Sequence, residues 1–132
     1  MKIVIGIGCD RGTPVETLDA ALLKALKLIG HQYKHIQCFA TIDKKADEEG
    51  INTLVRRLGK KVIHYPARQL AQVKVPNPSE VVRKYVGTPA VSEAAAILAA
   101  HTTMSDLLVE KLKYRGEDGK NATISIVKNN RK

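Results

Sequence analysis

Tryptophan is missing from this sequence, phenylalanine occurs once, and four tyrosines bring the aromatics to only 4% of the chain. Proteins that hold single-stranded nucleic acid stack bases on aromatic rings, so there is little material here for such a platform. Cysteine is also scarce. Cys9 and Cys38 fit neither a zinc spacing nor a disulfide framework. They read as two buried free thiols in a reducing compartment, which points to the cytoplasm. No apolar run approaches the roughly 18 residues of a membrane span. The opening stretch is broken by Gly6 and Gly8 and no small-x-small cleavage site follows, so it reads as a strand rather than a signal peptide. A Walker A sequence and a Gly-x-Ser-x-Gly elbow are both absent. Gly6-x-Gly8-x-x-x-Gly12 is one residue too long for a dinucleotide fingerprint, and no acid falls about 20 positions on at a strand end.

Acidic residues are in deficit, 13 against 22 basic, for a net charge of +9. That excess suits an anionic partner. The basic residues come as doublets (Lys44-Lys45, Arg56-Arg57, Lys60-Lys61) and a tail from Lys128 to Lys132, not as a stripe. An anionic small molecule fits this pattern as well as nucleic acid does, and the lack of aromatics disfavours the latter.

A length of 132 residues, with no repeat and no linker, fits one domain spanning 1–132. Residues 2–8 are an apolar, β-branched run that predicts a buried strand. Thr13-Pro14-Val15-Glu16 then predicts a helix start, with Thr13 as N-cap, Pro14 at the first helical position and Glu16 closing a capping box. Val15, Leu18, Leu22, Leu26 and Ile29 make one apolar face, and Gly30 stops the helix. Residues 35–42 predict a second strand, Asp43 to Leu58 a second helix ended by Gly59, and 61–65 a third strand closed by Pro66. One or two helical turns are expected over 67–73, a helix from Asn77-Pro78-Ser79-Glu80 to Tyr85, and an alanine-rich helix from Ala90 to Ala100. The alternation of 122–127, with 107–114 before it, predicts a hairpin. The expected fold is α/β: three α/β/α layers around a mixed, mostly parallel sheet with a C-terminal hairpin, and 128–132 frayed.

Three stretches could carry chemistry. The loop Gly8–Thr13 leaves a strand and enters a helix N-terminus, where unpaired N–H groups attract anions. Thr41 to Glu48 follows the next strand and joins the same edge, with lysines and carboxylates suited to acid–base work. Gly87 to Ala96 places Glu93 just before a run of alanines. His31 and His35 are four apart, but Gly30 breaks the helix before them, so they do not read as a metal pair; His64 reads as structural. No metal site and no cofactor is expected.

Taken in order, Ile5–Thr13 (IGIGCDRGT), Thr41–Gly50 (TIDKKADEEG), Pro78–Val82 with Val86–Ala100 (VGTPAVSEAAAILAA), and Leu107–Lys113 with Thr123–Val127 resemble the CobE/CbiG C-terminal domain family. The resemblance runs from about Lys2 to Val127. It matches the first motif at Gly8, Cys9, Arg11, Gly12 and Thr13, and the second at Lys45, Asp47 and Glu48. It matches the third at Ser79, Gly87, Val91, Glu93, Ala95 and Ala96, and the late strand at Lys111 and Lys113. Asp10 stands where a second arginine is common, which removes a cation from the loop, and Glu49 replaces a frequent proline. The resemblance implies a role in cobalamin biosynthesis. Two-domain members are similar to cobalt-precorrin-5A hydrolases, which open a lactone on the macrocycle and release acetaldehyde; stand-alone members carry this domain alone. The implied partner is an acidic corrin or tetrapyrrole intermediate, handed on among enzymes of the pathway. The implied substrate contacts are Gly8, Cys9, Arg11, Gly12, Thr13, Lys45, Ser79 and Gly87. Glu48, Glu93 and Lys45 are the catalytic candidates, and all are expected in one cleft. A non-catalytic carrier of a corrinoid is the alternative, and nucleic-acid binding through charge ranks third.

Overall fold

The computed structural model describes residues 2–74 and 91–129. Strand β1 (Lys2–Cys9) is the buried run at the start, with Ile3, Val4, Ile5 and Ile7 all fully buried. Helix α1 (Val15–Leu28) turns the three- and four-residue apolar steps into a buried stripe of Leu18, Ala21, Leu22, Ala25 and Leu26. Gly30 then takes a left-handed φ of 69°, the conformation its place as a stop requires. Strand β2 (Ile36–Ile42), helix α2 (Glu49–Arg57) and strand β3 (Val62–Tyr65) follow, then the short α3 (Ala67–Leu70). Helix α4 (Val91–Ala99) and the hairpin of β4 (Leu107–Arg115) with β5 (Asn121–Asn129) complete the described strands and α-helices.

The sheet order is β3-β2-β1-β5-β4. β1 pairs in parallel with β2, and β2 with β3, while β5 runs antiparallel to both β1 and β4. The fold is thus α/β, three-layered, with a mixed sheet and a C-terminal hairpin. Right-handed crossovers explain the layering. Steps from β1 to β2 to β3 move the same way across the sheet, so α1 and α2 share one face, packed on Ile3, Ile5, Ile7, Phe39, Ile124 and Ile126. Helices α3 and α4 cover the other face, over Val4, Ala40, Ile42 and Val127. Alanines at 94, 95 and 96 let α4 lie close on the sheet, and Gly6 lets it touch.

Three expectations change. Asp43 to Lys45 forms a 3-10 turn and α2 starts only at Glu49, because the chain first brings Glu48 back to the β1 loop. Lys128 and Asn129 are not frayed: they extend β5, pairing with Ile3 and Lys2, and Asn129 hydrogen-bonds Gln37. The two thiols are half-buried rather than buried. The helix expected from Asn77, together with Ser79 and Gly87, lies outside the described residues.

Candidate functional site

Because β1 and β2 are parallel neighbours, their C-terminal loops lie side by side. Glu48, 3% exposed, ties them together. Its Oε2 accepts the Gly12 N–H at 3.0 Å, and its Oε1 lies 3.2 Å from Arg11 and 3.6 Å from Lys45. Arg11 also donates to Asp47 at 2.9 Å and to the Lys44 carbonyl at 3.0 Å. That hydrogen bond and charge hold the Asp47 carboxyl below the usual range. The expected gathering of Arg11, Gly12, Thr13, Lys45 and Glu48 is therefore present. Its chemistry differs from the expectation of an open anion nest. The Gly12 N–H is taken by Glu48, the Thr13 N–H by the Asp10 carbonyl, and the Asp10 N–H by the Asn121 carbonyl. A cleft of about 290 Å³ opens beside Gly12 and Thr13, but Glu48 and Glu49 line it. Two carboxylates repel an anion there.

Thr13 is not the N-cap. Pro14 occupies that place without a side-chain bond, and the buried Thr13 hydroxyl donates instead to the Asp10 carbonyl at 2.7 Å. Thr13→Ala is expected to cost about 0.5–1.5 kcal/mol, the net worth of one such bond, read as a lower urea midpoint. Thr13→Ser, which keeps the hydroxyl, should lose less; equal losses would mean the methyl packing matters and not the bond. Asp10 has a role of its own, since its carboxylate accepts the Asn121 backbone N–H at 2.8 Å and side-chain amide at 3.2 Å, pinning β1 to β5. Burial pushes the Cys9 thiol up, against the pull of Lys45, so Cys9 is a neutral neighbour of this cluster rather than a nucleophile.

Glu93 sits on the other face of the sheet. It lies in the first turn of α4, fully buried, with its Oε1 3.7 Å from Lys111 on β4. Neither carboxyl oxygen has a hydrogen-bond partner among the described residues. Burial raises its pKa to about 7; Lys111 opposes the rise and Glu110 adds to it. The single cleft expected for Glu48 and Glu93 is thus divided: α2 and α4 cover opposite faces, and the cation beside Glu93 is Lys111, not Lys45. Next to Glu93, the Ser92 hydroxyl meets that of Ser125 at 2.8 Å, and Ser125 donates to the Glu110 carbonyl.

Residues 3–127 match the family described as cobalamin synthesis G C-terminus. The chain belongs to that family. It is 31% identical over 109 residues to a cobalt-precorrin-5A hydrolase of Priestia megaterium, covering 83% of this chain and 29% of the hydrolase. Against Protein CobE of Sinorhizobium sp. it is 31% identical, covering 83% of this chain and 72% of CobE. A probable cobalt-precorrin-5A hydrolase of Methanocaldococcus jannaschii is 32% identical, with 88% and 39% covered. The chain therefore spans about a third of the hydrolases it matches. A crystal structure of CobE, a protein from the cobalamin (vitamin B12) biosynthetic pathway, superposes with a TM-score of 0.79 at 30% identity, over 98% of this chain and 93% of that one. The chiG protein of Agrobacterium tumefaciens shares the fold, with a TM-score of 0.65 at 24% identity over 98% of this chain and 99% of that one. As a member of the cobalamin synthesis G C-terminal family, the chain is a cobalamin-biosynthesis protein related to cobalt-precorrin-5A hydrolases.

For this family member, the sequence reading missed Gly50, Gly6 and the pairing of Lys111 with Glu93. A Cβ at Gly50 would stand 2.4 Å from the Thr13 carbonyl, so α2 packs on the β1 loop only through glycine. A glycine in a first helical turn is a visible signal; its partner, far off in sequence, is not. His31 and His35 do meet, Nδ1 to Nδ1 at 3.1 Å, on a turn rather than a helix. Among the described residues no three His, Cys, Asp or Glu side chains gather as metal ligands, and no helix is long and apolar enough to cross a membrane.

Proposed function

We propose that the chain binds an acidic corrin intermediate of cobalamin biosynthesis at the C-terminal edge of the sheet, and that Glu93 is the acid–base residue of a hydrolytic step on it. The observation that carries this is Glu93 itself: fully buried, without a hydrogen-bond partner among the described residues, and with a pKa of about 7. A carboxyl poised near neutrality can both take and return a proton. In lactone hydrolysis, ionised Glu93 takes a proton from water as the water oxygen bonds to the carbonyl carbon. Lys111 steadies the oxyanion. The ring C–O bond then breaks, and the departing alkoxide recovers the proton from Glu93. Glu48, held by Gly12, Arg11 and Lys45, is a brace for the loop in this scheme.

A carrier role is the second reading. It is favoured by the match to CobE, which this chain covers over most of its length and whose name states no reaction. The partners proposed in either case are other enzymes of the same pathway, in a cytoplasm that suits the two free thiols.

A corrin acid is a flat apolar ring with an anionic rim, so its binding joins charge to ring contact. Raising salt from about 50 to 200 mM should weaken cobyrinic acid binding only moderately, because apolar contact is not screened. A random DNA duplex held through six to ten phosphates would lose about 10³–10⁵ in affinity over the same range. Isothermal titration of both at each salt level decides. Tight DNA binding with a steep slope and no corrin binding would overturn the reading.

A further inference from the structure

Beyond Glu93, we propose that the row Gly8–Thr123–Lys113 is a ledge that seats one carboxylate arm of the ligand beside the helix α4 start. The proposal rests on the corrin reading above and locates its contact. The residues share one face by register. Gly8 pairs with Thr123 across β1 and β5, and Thr123 pairs with Lys113 across β5 and β4. Side chains alternate along a strand, so Gly8 points the same way as Gly6, Thr123 as Ser125, and Lys113 as Lys111. Gly6 lies against Ser92, Ser125 bonds Ser92, and Lys111 pairs with Glu93. The row is therefore on the α4 face, one residue pair further along each strand, roughly 7 Å from the Glu93 contacts.

Four properties make this row a seat. A Cβ at Gly6 would strike α4, but one at Gly8 meets nothing within 4 Å among the described residues. Among the described residues the floor is thus open where the helix has just begun. Lys113 is exposed and has no ion-pair partner among the described residues, unlike Lys45 and Arg11 on the opposite face. Thr123 adds a hydroxyl donor between floor and cation. The position is also at the carboxyl end of β1, the edge outside which ligands of open α/β sheets collect. Glu93, buried and ion-paired with Lys111, stands at the inner end of the row with no hydrogen-bond partner among the described residues. A carboxylate bound to Lys113 and Thr123 would bring the rest of a flat ring over Gly8, toward Glu93.

Cobyrinic acid and its fully methylated ester are the probes, titrated into the unaltered chain and four variants. Lys113→Gln and Thr123→Val should weaken the acid, the lysine change by about tenfold to a hundredfold, as a lost charge-assisted bond does. Gly8→Val fills the floor and should abolish binding while the melting temperature holds, because no described residue lies within 4 Å of the added Cβ. Lys27→Gln, which removes the same charge from the last turn of α1, should bind as the unaltered chain does. The ester should bind weakly and respond little to the lysine change. If the unaltered chain binds and Gly8→Val and Lys113→Gln bind equally well, the ledge is wrong and the corrin reading stands. If Lys27→Gln weakens binding as much as Lys113→Gln, only net charge is at work and the ledge is again wrong. No binding by the unaltered chain removes both.

Discussion

Gly6→Ala is expected to destabilise the protein by about 3 kcal/mol or more, at or above the upper end of what overpacking a core costs. The added Cβ would lie 1.8 Å from the Ser92 carbonyl oxygen and 2.7 Å from its carbon. Both are helix backbone, so no rotamer change relieves the clash. Helix α4 would have to lift from β1, and with it Ala94, Ala95 and Ala96, which are fully buried against the sheet. A domain is stable by only about 5–15 kcal/mol, so much of the folded population is at stake. Gly8→Ala is the control on the same strand and face, where nothing lies within 4 Å among the described residues. Urea unfolding of the two variants should differ widely. Similar midpoints would mean that α4 does not press on β1 as described.

The second large effect concerns Glu93. Its folded pKa of about 7 lies above the ordinary 4.5. Between those values the folded protein keeps a proton that the unfolded chain has released. The stability this carboxyl contributes is fully present below about pH 4.5 and is lost as pH rises through about 7. Glu93→Gln carries no such proton, so its melting temperature should lack that downward slope and exceed the unaltered protein's above pH 7. In turnover the same variant should lose about 10²–10⁴-fold, as general acid–base residues do. Parallel melting curves across this range would show that Glu93 ionises normally.

How much of this was legible beforehand depends on range. Helix α1 was readable because its apolar steps and Gly30 lie within one segment, and the hairpin because β5 alternates. The α/β class followed from the alternation of such segments. Features set by distant partners were not readable. Thr13 looks like a cap until Asp10 takes its hydroxyl, and α2 looks longer until Glu48 turns back to Gly12. Lys128 and Asn129 look like a solvated tail until β1 pairs with them. The site was half legible. Arg11, Gly12, Thr13, Lys45 and Glu48 do gather, since consecutive parallel strands put their loops together. Glu93 does not join them, because which face a helix covers depends on the order of strands in the sheet. The carboxylates in the sequence look equivalent; only structure shows Glu48 braced by Arg11 and Lys45 and Glu93 buried beside Lys111, its one cation among the described residues.

Turnover tests most directly whether Glu93 acts on a corrin. A lactone-bearing cobalt-corrin intermediate should be incubated with the unaltered chain and with Glu93→Gln, and product mass followed across neutral pH. The expected result is conversion by the unaltered chain, with a rate that rises through about pH 7 as Glu93 ionises, and binding without conversion by the variant. Equal conversion by both proteins, or a rate indifferent to pH across neutrality, would contradict it.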